Sequence, residues 1–177
     1  LGWSLGGLVA QQLALRYPQQ LSKLVLVAST PKFQAQDEWP GIKPQVLEVF
    51  EQQLERDFTK TLDRFLAIQA MGSPSSKEDI KTIRQHVQQF PIPDDKALRA
   101  GLKLLSDVDL RTSIPNSKVP TLRLYGRLDS LVPHKAMDEI ARLDVSARSH
   151  VFAHASHAPF ISHMDEFVAV LDDFISR

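Results

Sequence analysis

Gly2-Trp3-Ser4-Leu5-Gly6-Gly7 stands almost at the start of the 177-residue chain and runs straight into Leu8-Val9-Ala10-Gln11-Gln12-Leu13-Ala14-Leu15-Arg16-Tyr17. Its first five residues fit G-x-S-x-G, the pattern of a serine held on a sharp strand-to-helix turn. Such a turn strains the serine and leaves little room for side chains two positions to either side, so Gly2 and Gly6 are expected to be there for space. After Ser4 the apolar positions Leu8, Val9, Leu13, Ala14 and Tyr17 recur at helical spacing until Pro18 ends the pattern. A helix starting there points its first N–H groups at whatever the serine attacks, which makes the Leu5 N–H an oxyanion donor. The competing reading is a glycine-rich turn with an incidental serine; the helix that follows favours the nucleophile.

Outward from this stretch, residues 21–28 (Leu-Ser-Lys-Leu-Val-Leu-Val-Ala) are short, β-branched and apolar on both faces, as a buried parallel strand is. A helix followed by such a strand, with no hairpin turn between, predicts an α/β unit. From about residue 33 the grammar changes. Pro31, Pro40, Gly41 and Pro44 mark a loop, and one long helical stretch is expected over residues 45–70, with a break at Gly72-Ser73-Pro74. Ser76 with Asp79 three residues on resembles a capping box for a helix to about residue 89, and a further helix is expected over residues 94–105. No strand-like alternation is visible from 33 to 112. Strands then return at 119–126 and 149–153, with helices over 133–143 and 164–175. The expected organisation is an α/β core in residues 1–32 and 113–177 with a helical insertion over 33–112.

Composition removes several alternatives. The 21 Lys+Arg balance 21 Asp+Glu, so no global charge draws the chain to nucleic acid or an anionic membrane. The absence of cysteine excludes disulfides, thiolate catalysis and Cys-based zinc sites. Six histidines remain, but no H-E-x-x-H motif occurs, so no metal and no cofactor is expected. No apolar run approaches the ~20 residues that span a bilayer. A soluble, cytoplasmic, monomeric protein is the expectation; no signal-peptide pattern is recognised, and because the chain begins at Leu1 rather than Met its true N-terminus is expected to lie upstream.

A serine hydroxyl is a weak nucleophile near neutral pH and needs a base, which in turn needs an orienting carboxylate. With the serine on a strand-to-helix turn, the expected chain order is Ser, acid, His. Asp129 in Gly126-Arg127-Leu128-Asp129 and His157 in His154-Ala155-Ser156-His157-Ala158-Pro159 each follow the end of a predicted strand. Loops there deliver side chains to the carboxyl edge of a parallel sheet. Alone, Asp129 reads equally as a turn residue. His154 competes with His157 but falls nearer the strand end, so His157 is preferred. Trp3 either lines an acyl pocket or packs as a core aromatic, and His163 reads as a cap of the last helix.

With these residues in place the chain resembles the α/β-hydrolases, and among them the pimeloyl-acyl-carrier-protein methyl ester esterases of biotin synthesis. The resemblance rests on Gly2–Gly7, on Asp37-Glu38-Trp39-Pro40-Gly41-Ile42-Lys43-Pro44, on Leu122-Arg123-Leu124-Tyr125-Gly126 and on His157-Ala158-Pro159-Phe160-Ile161-Ser162-His163. It implies a triad of Ser4, Asp129 and His157 beneath a helical cap, and hydrolysis of a pimeloyl-carrier methyl ester to the free acid and methanol. It also implies that Trp3 and Phe65 line the substrate, and that cap cations hold an acidic acyl-carrier protein and its phosphopantetheine arm. Those cations are arginines in the family; here they are Lys60, Arg64, Lys77 and Lys81, so charge is kept without the bidentate geometry. A complete relative runs to roughly 250 residues, so the strands before the nucleophile and the second oxyanion donor are expected to lie outside this sequence, and the segment alone to fold poorly.

Two other readings stand beside this one. A general short-acyl carboxylesterase would use the same triad with the cap cations as an ordinary solvated face. A binding module or non-catalytic fragment would keep the motif without turnover. Residues 33–112 hold 11 Lys+Arg and 13 Asp+Glu, so the insertion as a whole is slightly acidic. The cations, however, are segregated: Lys60 and Arg64 share one face, and Lys77, Lys81 and Arg84 fall at i, i+4 and i+7 on the next helix. Like charges so placed repel unless an anion arrives.

Overall fold

Trp3 pairs with Val27, Leu26 with Arg123 and Leu124 with His150, so four parallel strands run side by side in chain order. They are β1 (Gly2–Trp3), β2 (Leu24–Val27), β3 (Thr121–Gly126) and β4 (Arg148–Phe152). The helices are α1 (Leu5–Arg16), α2 (Pro44–Arg56), α3 (Phe58–Ala70), α4 (Ser76–Val87), α5 (Asp95–Asp107), α6 (His134–Leu143), α7 (Pro159–Ser162) and α8 (Met164–Ser176). This computed structural model describes residues 1–71, 74–91 and 93–177, Glu55 by its backbone alone. Among them no helix is long and apolar enough to cross a membrane.

The side-chain alternation of the strands builds two apolar layers. Val25, Val27, Leu122, Leu124 and Phe152 pack on Phe167 and Phe174 of α8. On the other face Leu24 and Leu26 meet Ala14 of α1, and Tyr125 meets Leu8 of α1 and Ile140 of α6. Every residue of β2 and β3 is therefore buried, as their apolar runs predict. Arg123 is the charged member of β3. It is 2% exposed, bonds Asp144 through Nε at 2.8 Å and Nη2 at 2.7 Å, and reaches Gln11 at 3.4 Å. Burial pushes the phenol of the neighbouring Tyr125 above its ordinary value.

The long connection from β2 to β3 holds α2–α5. Its two ends are fastened together: Lys32 and Arg111 both pair with Asp109, at 3.3 and 2.6 Å, and the Arg111 guanidinium lies over the Trp39 ring. Trp39 in turn donates its indole N–H to the Lys32 carbonyl. The Arg111 hydrogen bonds, with Lys32 behind them, hold the Asp109 carboxyl at about 2.

Three expectations change here. The helix predicted over 45–70 is two, because Asp57 adopts φ −157° and its side chain accepts the Lys60 N–H, capping α3. The apolar spacing continues across that break, so periodicity could not show it. Ser75 rather than Ser76 caps α4, its hydroxyl donating to Asp79 at 3.1 Å. Between 33 and 112 two isolated bridges, Gln34 with Ile42 and Gln36 with Trp39, close the loop around Trp39. The expected break at Gly72 and Ser73 lies outside the described residues, and the short α7 had no counterpart in the sequence reading.

Candidate active site

Parallel strands end on the same edge, and the three segments that carry Ser4, Asp129 and His157 emerge there after β1, β3 and β4. Ser4 leaves β1 with φ 52° and ψ −121°, a left-handed conformation that costs a non-glycine residue of order 1–3 kcal/mol. The turn is held by Ser4 N–H on the Val27 carbonyl at 2.9 Å and Gly7 N–H on the Ser4 carbonyl at 2.9 Å. A Cβ on Gly2 would stand 2.4 Å from the Gly6 carbonyl oxygen, so Gly2 is required for space. Gly6 is not, contrary to expectation: a Cβ there meets no atom within 4 Å, whereas one on Gly7 would strike the Ser29 hydroxyl at 2.2 Å. Leu5 opens α1, and its N–H therefore has no intrahelical acceptor.

Asp129 sits three residues past the end of β3, nearly fully buried. Its Oδ1 accepts the N–H groups of Leu131 (2.8 Å) and Val132 (3.1 Å), which fixes the carboxylate and leaves Oδ2 free for a partner. That partner is His157, fully buried, with Nδ1 at 2.8 Å from Oδ2. A carboxylate of this kind only accepts, so Nδ1 carries the proton and Nε2 presents its lone pair. Nε2 lies 2.9 Å from the Ser4 hydroxyl. Ser4, His157 and Asp129 thus form one hydrogen-bonded chain, in the geometry that lets a serine lose its proton as it attacks.

The loop carrying His157 is clamped from several sides. Leu128 N–H bonds the Ala155 carbonyl at 2.9 Å and Arg127 N–H the Phe152 carbonyl at 3.0 Å. The absence of a side chain at Gly126 lets the two loops touch, since a Cβ there would lie 1.8 Å from the Ser156 carbonyl oxygen. The Trp3 indole donates to the His157 carbonyl at 2.8 Å, and its ring meets Phe160 edge-on. Trp3 packs against core residues and also borders an open, mostly apolar cleft of about 650 Å³. That cleft runs between α4 and the α7–α8 corner, lined by Ile83, Val87, Phe160, Ile161 and Met164, with Glu78 and His86 among its polar side chains.

The remaining histidines lie apart from this chain of bonds. His154 is exposed. His86 donates to the Thr82 carbonyl, His134 faces Asp138, and His150 bonds Glu166. His163 occupies the position before α8, as expected of a cap, but its ring bonds the Ser162 hydroxyl.

The inserted helices place the predicted cations on their outer faces. Lys60, Arg64, Lys77 and Lys81 are all exposed, Lys60 paired with Asp57 at 3.2 Å and Arg64 bonded to Gln53. Arg84 departs from the expected cationic row: it bridges to Asp63 of α3 at 2.8 Å. Phe65 is half-buried and its ring packs against Phe50 of α2. Sequence reasoning missed Gln69, whose carbonyl accepts the His157 N–H, and Phe160, because both depend on contacts between segments distant in the chain.

The family model for the alpha/beta hydrolase fold matches residues 1–164. The chain is 54% identical over 175 residues to the pimeloyl-[acyl-carrier protein] methyl ester esterase of Photobacterium profundum, covering 99% of this chain and 69% of that protein. It is 50% identical over 177 residues to a protein of the same name from Aliivibrio fischeri, covering 100% of this chain and 69% of the relative. Among solved structures, the esterase EaEST from Exiguobacterium antarcticum matches with a TM-score of 0.85 at 22% identity, over 99% of this chain and 65% of that one. The enol-lactonase from Burkholderia xenovorans matches at 0.80 and 21%, over 99% and 64%. These two likenesses speak for the fold. The chain spans about two-thirds of the length of the proteins it matches.

Proposed function

The chain belongs to the α/β-hydrolase fold family, and from that premise we propose that it is a serine carboxylic-ester hydrolase acting on pimeloyl-acyl-carrier-protein methyl ester in the cytoplasm. The observation that carries the reaction type is the unbroken chain of hydrogen bonds from Ser4 through His157 to Asp129. Similarity of at least 50% to esterases named for that substrate supports the substrate class.

In this reading the Ser4 hydroxyl attacks the methyl ester carbonyl as His157 Nε2 takes its proton. The carbonyl oxygen becomes an oxyanion facing the Leu5 N–H at the positive end of α1. Collapse of that intermediate breaks the carbonyl–methoxy bond, and the proton on Nε2 passes to the departing oxygen, releasing methanol. Water then enters, gives a proton to His157 and attacks the acyl-Ser4 ester. The Ser4 oxygen recovers its proton and the free carboxylate leaves. Asp129 stays ionised throughout and holds the Nδ1–H tautomer.

We assign the α2–α5 segment as the cap, with Trp3 and Phe65 bordering the acyl chain and Lys60, Arg64, Lys77 and Lys81 facing the carrier. A substrate on an acidic protein gains encounter rate from such a patch more than chemical rate. Reversing Arg64 and Lys81 to Glu together is expected to raise KM for carrier-bound substrate, most at low salt, and to leave a small neutral ester unaffected. Equal loss on both substrates, or on neither, favours the general short-acyl esterase.

A further inference from the structure

We propose that the cap helices α3 and α4 are positioning elements for His157, acting through Leu66 and Ile83; the inference rests on the triad reading given above. His157 is fully buried, and a buried peptide group must find partners. Neither of its partners comes from its own loop or from the sheet's interior strands. Its N–H donates to the carbonyl of Gln69 at 3.0 Å, and its carbonyl accepts the Trp3 indole N–H at 2.8 Å. Gln69 lies in the last turn of α3, where carbonyls have no intrahelical donor. The catalytic loop and the cap helix thus satisfy each other.

The apolar packing repeats the pattern. Ala158, the residue after His157, is buried in a cluster with Leu66 of α3 and Ile83 of α4, flanked by Leu62, Ile80 and Phe160. The ion pair between Asp63 and Arg84 at 2.8 Å ties the two helices together across this cluster. On its far side the same loop is fixed to the core by the Leu128–Ala155 and Arg127–Phe152 bonds. The imidazole therefore hangs between a seat on the core and a seat on the cap. Loosening the cap seat removes the acceptor of the His157 N–H and lets the ring turn away from Ser4, now 2.9 Å distant. Leu66 forms no part of the Ser4–His157–Asp129 bond chain, of the cleft beside Trp3 or of the exposed cation row, so its effect should fall on kcat rather than on KM.

The test compares Leu66→Ala, Leu66→Met and Leu24→Ala in the purified protein. Leu24 is buried like Leu66 but opens β2 at the amino end of the sheet, away from the site. Three quantities are read well below each melting temperature: kcat and KM on a small neutral ester, and the low-field proton resonance of the His157–Asp129 hydrogen bond. Misplacing a catalytic group by about 1 Å costs up to about 10²-fold. Leu66→Ala is therefore expected to lose at least about tenfold in kcat at unchanged KM and to broaden or lose the resonance. Leu66→Met should recover both, and Leu24→Ala should melt earlier while keeping kcat and resonance. If Leu66→Ala does not fold, Leu66→Val takes its place and is judged by the same signs. Unchanged kcat and resonance in the cap variant, or an equal kcat loss in Leu24→Ala, overturns the inference. Ser4→Ala separates the two readings: if it is inactive while Leu66→Ala works normally, the triad stands and the cap's positioning role falls.

Discussion

Alanine at position 126 is the smallest change that should separate the acid from the base without touching either. Its Cβ would stand 1.8 Å from the Ser156 carbonyl oxygen and 2.5 Å from that of Ala155, where contacts below 3.0 Å essentially never occur. Both obstacles are backbone, so no side chain can swing aside; the end of β3 and the loop carrying His157 must part by at least about 1.2 Å. His157 is the next residue after Ser156, and its bond to Asp129, three residues past Gly126, is 2.8 Å long. A parting of that size transmitted to the ring takes the pair beyond hydrogen-bonding range. The expected loss in kcat is about 10²-fold, or about 2.7 kcal/mol of barrier. Overpacking of this kind costs about 1–3 kcal/mol of stability, which lowers the melting temperature by a few to about ten degrees in a domain of this size. Initial rates on a short neutral ester, taken well below the melting temperature, measure the first effect, and a thermal scan the second. A Gly126→Ala protein with kcat within about twofold of the parent would refute the argument that these two loops are held at contact distance.

Two further outcomes concern the scaffold. Asp109, held at about 2 by Arg111 and Lys32, has a folded-state value below its unfolded one, so its contribution is present above about pH 4 and fades as pH falls through about 2. Because it is partly solvent-exposed, the contribution is about 1–2 kcal/mol after screening; Asp109→Asn should lower urea-unfolding stability by that amount at pH 7 and by progressively less as pH falls from about 4 towards 2. Arg123→Met leaves Asp144 buried without its cation and should cost about 3–5 kcal/mol, most of it recovered by adding Asp144→Leu, as read by denaturant unfolding.

Much of the site was legible because its parts are local. The G-x-S-x-G turn, the apolar run of β2 and the two strand-end loops each carry their signal within a short stretch of chain, and a parallel sheet brings its carboxyl ends together without further instruction. Other features were hidden for physical reasons. Asp57 breaks a helix through one side-chain hydrogen bond while the apolar spacing runs on unaltered. Gly126 looks like any strand-ending glycine until the Ser156 carbonyl is placed against it. Gln69 contributes only a backbone carbonyl to His157, which no residue type announces. Arg84 belongs by spacing to the cationic row of α4, yet Asp63 on the neighbouring helix claims it, a pairing visible only once the two helices are packed.

In the proposed reaction Ser4, activated by His157 and Asp129, cleaves a methyl ester presented on an acyl-carrier protein. Its most direct test is methanol release from pimeloyl-acyl-carrier-protein methyl ester by the purified protein and by its Ser4→Ala variant, with the carrier product weighed by mass spectrometry. Turnover by the parent protein, a carrier-bound free acid as product, and a loss of several orders of magnitude in kcat for Ser4→Ala with substrate still bound are expected. Methanol release by Ser4→Ala at a rate near that of the parent would contradict the proposed reaction.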